Sequence, residues 1–345
     1  MYLNHYALAR EPFHIATTPG LFFMGKNHRE ALAMMMYGVQ KRLGFIVLTG
    51  EVGTGKTTIL RAYLDHVQRT NVRSILLFNP ELDFRELLVH ILQTLGVDGR
   101  GKDERWLLHH VANALIAERK AGRLVVLIVD EAHHLPVETL RRMHLLSNME
   151  SREGKLLQVI FVGQPEFDAL LHDDRLRQIR QRTAVRFHLK PLTPRESIEY
   201  IRFRLEWAGG KPETCFTRGA IRTIVKEAGG FPRMLNVLCD NALVTGMGHG
   251  MKPVPRRVAR EVLRDFRTPR RRSFRWWTWS RAAAVACAVA GAAYLSLLHP
   301  HAPQTDRTAQ SSVLQTSPGV PLDAQQLSED RAAMATIQDW RELVR

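Results

Sequence analysis

Five short apolar runs punctuate the first 190 residues, at 45–49, 74–78, 124–129, 157–162 and 184–189. The run 45–49 is β-branched at Ile46 and Val47 and reads as a buried strand. The run 124–129 contains no polar residue, as expected of a parallel strand covered on both faces. By contrast, 184–189 alternates apolar and polar positions and reads as a strand at an exposed edge. Between the first two runs, Ile59, Leu60, Tyr63, Leu64 and Val67 recur at helical spacing. Strands alternating with helices predict an α/β domain with a parallel sheet over residues 1–190.

From Thr193 the pattern becomes wholly helical. Thr193-Pro-Arg-Glu196 combines a capping hydroxyl, a Pro at the first helical position and a Glu third. The helices that follow are separated by Gly209-Gly210, by Gly229-Gly230 and by a glycine-rich stretch from Gly246 to Gly250. A small all-α lid is expected over 191–268. Beyond it, 282–298 is a seventeen-residue run without charge, preceded by Trp276, Trp277 and Trp279. About 20 apolar residues span a bilayer. The expected span is therefore 276–298, with an Ala-rich soluble helix as the competing reading. Residues 299–345 open with a polar, Pro-containing stretch that reads as a linker.

Composition sharpens this picture at two points. The 345 residues are 45% apolar, too much for a disordered chain, and carry a formal net charge of +15. Residues 252–281 hold ten Arg and one Lys against two acids, so more than half the excess lies just before the apolar run. Arg on one side and Trp at the boundary fit the positive-inside rule and the aromatic belt. The expected topology is a single pass through a membrane, with the N-terminal 270 residues cytoplasmic, the last 47 outside the cytoplasm, and anionic lipid near 256–275. No apolar stretch of signal-peptide type opens the chain. Three widely spaced cysteines exclude a disulfide framework or a zinc site of ordinary spacing, and thiols this sparse suit a reducing compartment.

The chemistry concentrates behind the first and third runs. Gly50-Glu51-Val52-Gly53-Thr54-Gly55-Lys56-Thr57, followed by Thr58, matches G-x-x-x-x-G-K-[ST] in full. It lies between a strand and a helix, the context that the motif requires. Glycines let amides converge on phosphate oxygens, and the helix directs its positive end there. Lys56 is expected at the β/γ-phosphates of a bound nucleotide and Thr57 in a Mg²⁺ shell. Asp130-Glu131 ends the run 124–129. Asp130 is the candidate for the metal shell and Glu131 for the group that orients and deprotonates the attacking water. Gln164 follows the run 157–162 and is a candidate for contact with the γ-phosphate or the water. In Arg175-Leu-Arg177-Gln-Ile-Arg180-Gln-Arg182, Arg182 and then Arg177 are candidates for an arginine finger that serves a neighbouring subunit. Arg233, at the start of a lid helix, can reach the phosphates and couple the lid to nucleotide state. His133 and His134 lack metal-ligand spacing and read as loop or packing residues. The letters DEAH also occur in helicases, but there is no room for a second motor domain before the apolar run.

These motifs resemble the AAA+ ATPase superfamily, and within it the ExeA/GspA type of general secretion systems, with the pilus-biogenesis and exopolysaccharide-locus ATPases close by. The resemblance rests on GEVGTGKTT, VDEAHHL, LLSNME, KLLQVIFVGQPEF, RQIRQR, LTPRESIEYIRFRLEWAG and GFPRMLNVLCDNAL, together with Tyr6, Pro12-Phe13 and Tyr37-Gly38, and covers 1 to about 250. It implies a P-loop domain whose parallel sheet has an added strand, a helical lid, ATP with Mg²⁺, and assembly into a homo-oligomer, typically a ring. It also implies one inner-membrane helix and a membrane partner protein in a type II-like secretion or pilus machine. Longer members carry a peptidoglycan-binding region beyond that helix; here 47 residues follow it. The alternative from a different class is a DNA-binding ATPase of the transposition-target-delivery type, which the basic total favours.

Overall fold

The structure is a computed structural model, and it describes residues 2–14, 21–78, 80–151 and 154–267. The expected membrane span, the basic stretch 269–281 and the tail lie outside the described residues. Among the described residues, no helix is long and apolar enough to cross a membrane.

In chain order the elements are α1 (Tyr2–Tyr6), α2 (Lys26–Gln40), β1 (Phe45–Gly50), α3 (Lys56–Val67), β2 (Val72–Leu77), α4 (Phe84–Thr94), α5 (Glu104–Lys120) and β3 (Leu124–Val129). Then follow α6 (Val137–Arg142), α7 (His144–Ser147), the two-residue strands β4 (Glu150–Ser151) and β5 (Gly154–Lys155), β6 (Leu157–Gly163), α8 (Pro165–Leu170), α9 (Arg177–Arg182) and β7 (Thr183–Leu189). The remainder is helical: α10 (Pro194–Trp207), α11 (Pro212–Cys215), α12 (Arg218–Ala228), α13 (Pro232–Gly248) and α14 (Arg256–Arg267).

Five parallel strands form one sheet in the order β2-β3-β6-β1-β7. Alternation along each strand divides its side chains between two faces. Phe45, Val47, Leu127, Val159 and Phe161 face a core completed by α4 to α9. Ile46, Leu48, Val126, Ile128 and Val162 face a second core with α2 and α3. The three central strands β3, β6 and β1 are buried almost throughout, whereas β7 alternates half-buried and exposed positions up to the buried Leu189, as an edge strand does.

Two details differ from the sequence reading. The strand at 74–78 shifts to Val72–Leu77, and Phe78 leaves the sheet 61% exposed. That strand falls between the two nucleotide motifs in sequence but lies at the sheet edge. The strand inserted between them in space is β6. Chain order alone does not define spatial order in a parallel sheet, because each crossover helix can carry the chain past a neighbour.

The helices α10 to α14 enclose a third core, which includes Tyr2, Tyr6, Leu8 and Phe13 from the N-terminus. The first residues, grouped by sequence with the α/β part, thus pack among the C-terminal helices. Tyr2 donates to Asp240 at 2.7 Å and Tyr6 to the Met251 carbonyl at 3.0 Å. Cys215 and Cys239 are both free and buried in this core. The capping box at Thr193 forms as the sequence predicts: the Glu196 amide donates to Thr193 Oγ1 at 3.2 Å and the Thr193 amide to Glu196 at 2.9 Å. Glu196 also accepts from the Lys26 amide at 2.7 Å, which ties the start of α10 to the start of α2.

Candidate nucleotide site

The order β3-β6-β1 brings the C-terminal tips of three parallel strands together, and such tips are where open α/β sheets bind ligands. At the β1 tip, the chain turns through Gly53 (φ 81°) and Gly55 (φ 103°) into α3. Both conformations are left-handed, and both sites are crowded. A Cβ at Gly53 would lie 3.0 Å from Arg233 Cβ, and one at Gly55 would lie 2.8 Å from His28 Nε2. Thr54 braces the turn by donating to the Glu51 carbonyl at 2.8 Å. Glu51 and Val52 are exposed at its apex. The first amides of α3, at Lys56, Thr57 and Thr58, have no intrahelical acceptor. The first helical bond is from Ile59 to Gly55.

Lys56 is buried, and its ammonium donates to the Gly50 carbonyl at 2.7 Å and the Glu51 carbonyl at 3.2 Å. Burial lowers its pKa, opposed by Glu131, Asp130 and Glu51. Asp130 is also buried, and its Oδ1 accepts from the Glu131 amide at 2.9 Å. Burial raises the pKa of its carboxyl, against the pull of Lys56. A buried cation and a buried acid, with only backbone groups as hydrogen-bond partners, are the donor set that a nucleotide and Mg²⁺ would complete. Thr57 stands exposed on the first turn of α3.

Glu131 has φ 49°, a left-handed conformation that costs a non-glycine residue about 1–2 kcal/mol. Gln164, at the tip of β6, donates its amide to Glu131 Oε2 at 3.3 Å. His133 Nδ1 lies 3.5 Å from the same oxygen, so this packing residue also faces the candidate base. Arg233 sits at the first turn of α13, its amide 3.4 Å from the Gly53 carbonyl and its side chain exposed. Of the sequence candidates, the structure therefore gathers Lys56, Asp130, Glu131, Gln164 and Arg233 around one loop.

Arg182 is not among them. Its guanidinium bonds the His144 carbonyl, at the start of α7, and Asn148 Oδ1, just past its end. Arg177 is exposed on the first turn of α9.

Two groups escaped the sequence reading. His28, on α2, has 2% exposure, and its Nε2 donates to the Thr54 carbonyl at 2.8 Å. The neutral Nε2–H tautomer follows, and burial lowers its pKa. Thr49, the residue before Gly50, donates to Asp168 on α8 at 2.5 Å and lies 3.2 Å from His188 on β7. Asp168 thereby fastens the helix that begins beside Gln164 to the strand that carries the loop. Neither contact has a sequence signal, since each joins residues more than 25 positions apart.

A family model described as an AAA domain matches residues 39–171. General secretion pathway protein A of Aeromonas hydrophila is 39% identical over 251 residues, which is 72% of this chain and 46% of that protein. The chain thus spans about half the length of that relative. The fold is similar to the ORC2 protein of Aeropyrum pernix in its ADPNP-ADP complexes, with a TM-score of 0.55 and 18% identity over 73% of this chain and 71% of the other. It is also similar to Cdc6p of Pyrobaculum aerophilum, with a TM-score of 0.56 and 16% identity over 70% and 67% of the two chains.

Proposed function

The chain belongs to the AAA+ P-loop ATPases and is related to general secretion pathway protein A, and on that premise we propose that it hydrolyses ATP to support the assembly or operation of an envelope secretion or pilus machine. The observation that carries this reading is the meeting of Lys56, Asp130, Glu131 and Gln164 at adjacent strand tips, with Arg233 reaching in from α13.

In this reading the glycine turn and the free amides of α3 hold the phosphates. Lys56 exchanges its two carbonyl partners for phosphate oxygens. Thr57 and Asp130 are the residues that would hold Mg²⁺, which supplies neutralisation of phosphate charge. Glu131 orients the water and accepts its proton, and Gln164 moves from the Glu131 carboxylate toward the water or the γ-phosphate. Arg233 reports the nucleotide to the helical part. Arg182 serves the site of a neighbouring copy in a homo-oligomer. Residues 276–298 anchor the chain in the inner membrane beside a partner protein, with the ATPase part cytoplasmic and the tail periplasmic.

Phosphate release by the full chain tests the enzyme reading. Glu131→Gln should retain ATP binding and lose turnover by ~10²–10⁴-fold, whereas Lys56→Ala should lose binding itself. Equal phosphate release by wild type and Glu131→Gln would sink the proposal. Retention of residues 1–267 on DNA, reversed by salt, would support the DNA-binding alternative instead.

A further inference from the structure

A groove of about 350 Å³ opens between α10, α11 and the start of α12, on the helical part of the chain and apart from the nucleotide loop. Ile198, Phe216 and Ile221 contribute to its apolar floor, and three exposed guanidiniums, Arg202, Arg218 and Arg222, rim it. Arg218 and Arg222 are four positions apart and share one face of α12. Glu213 is the one acid in the lining. Elsewhere in the fold, arginines such as Arg73, Arg123 and Arg142 are paired with carboxylates. Arg202, Arg218 and Arg222 make no hydrogen bond or ion pair among the described residues. Three unpaired guanidiniums above an apolar floor are complementary to a ligand with an anionic end and an apolar body.

The surroundings indicate which ligand. A parallel bridge from Phe216 to Val254 sets the start of α14 beside the start of α12. Arg256 there packs on Gly219, 3.4 Å from where a Cβ would stand. The basic surface therefore continues along α14 through Arg256 and Arg260, both exposed. The sequence after α14 adds five more Arg between 268 and 281, interleaved with Trp276, Trp277 and Trp279, before the apolar run. Eight residues separate Arg267 from Trp276, a reach of at most ~30 Å. A basic surface followed in the sequence, within eight residues, by that Trp-rich and apolar run is complementary to anionic headgroups. A nucleic-acid backbone would satisfy the arginines but leave the apolar floor without a partner.

We propose that this groove takes the phosphate headgroup of an anionic phospholipid from the leaflet on which the protein rests, with the guanidiniums on the phosphate and the floor on the glycerol and first methylenes. The proposal rests on the membrane-anchored reading above. It gives the helical part a second, lipid-dependent contact with the bilayer, on helices that share a core with α13, which carries Arg233.

The test uses the full chain in a neutral detergent, titrated with dihexanoylphosphatidylglycerol, with amide hydrogen exchange read over residues 212–222. Saturable slowing is expected with this lipid and not with dihexanoylphosphatidylcholine. In Arg202→Ala/Arg218→Ala/Arg222→Ala the midpoint should rise at least tenfold, while ATP binding by the same variant shows that the fold is intact. An equal response to both lipids overturns the proposal, as does a triple variant that titrates like wild type. Protection by a single-stranded oligonucleotide but not by the lipid also overturns it and assigns the groove to nucleic acid. Carbonate extraction of the full chain from phosphatidylcholine vesicles separates this from the anchor. Release overturns the anchor and with it the source of the lipid; retention with an unresponsive groove overturns this proposal alone.

Discussion

His28 is the residue whose role the structure most changes. Its imidazole is buried under the glycine turn and donates to the Thr54 carbonyl, while Nδ1 has no partner. Burial, the largest influence, lowers its pKa from 6.5; Arg29 acts in the same direction, and the Thr54 carbonyl and Glu196 oppose. The folded state therefore binds a proton less readily than the unfolded chain. Stability should be full above pH 6.5 and fall as pH drops from there toward the lowered value. His28→Gln keeps a donor within reach and removes the titration. Chemical denaturation across this pH window should show the fall in wild type and not in the variant. His28→Ala should cost ~1–2 kcal/mol and weaken ATP binding, because the turn loses its support from below. The candidate phosphate loop was legible in the sequence, since glycine, lysine and hydroxyl fall within eight consecutive positions. His28 was not, because its bond to Thr54 spans 26 positions and involves a backbone atom that any residue supplies.

Among elements, two junctions hold the sheet and the helical part in place. Glu118 on α5, with an 8% exposed side chain, bonds Arg123 Nε at 2.5 Å and Arg73 Nη1 at 2.7 Å, and Arg73 also reaches the Thr94 carbonyl at the end of α4. One carboxylate thereby clamps β2, α4 and α5. The hydrogen bond from Arg123, with Arg73 beside it, holds this carboxyl below its ordinary 4.5. Its contribution is complete above that pH and is lost as pH falls through the lowered value. Glu118→Gln should destabilise by ~2 kcal/mol at neutral pH, a figure reduced from that of a fully buried pair because both arginines are partly exposed. Thermal melts at pH 7 and pH 3 should show the difference shrinking at the lower pH. The second junction is Gly230, with φ 83°, whose carbonyl accepts from the Leu192 amide at 2.9 Å. A Cβ there would meet the Leu192 carbonyl oxygen at 2.0 Å. Gly230→Ala should cost ~3 kcal/mol or more, and limited proteolysis should cut first between β7 and α10. The capping box at Thr193 was legible in four consecutive residues, whereas its second duty, with Glu196 holding the start of α2, was not.

At the scale of the whole molecule, Arg182 is the residue whose proposed role joins one copy to another. Within one copy it bonds Asn148 and His144. If it acts across a subunit interface, Arg182→Ala and Glu131→Gln should each be inactive alone. An equal mixture should regain about a quarter of wild-type phosphate release, from interfaces that combine an intact Glu131 with an intact Arg182. A mixture as silent as its parts, together with a lowered melting temperature for Arg182→Ala, would make Arg182 a brace for α7 instead.

The sequence by itself determined the class of fold and marked the candidate phosphate loop. A phosphate loop is a local object, and strands covered on both faces announce themselves as unbroken apolar runs. It also marked the edge strand, because one face of β7 is half-buried and the other exposed. The tertiary structure decided which strands are neighbours, and so which side chains meet. Asp130, Gln164 and Lys56 are far apart in the chain and become adjacent only because β6 runs between β3 and β1. The same holds for the packing of residues 2–13 into the helical core, for His28 beneath the turn and for the arginine-rimmed groove. These depend on crossovers and on burial against distant helices, and no local pattern of polar and apolar residues encodes where a crossover lands.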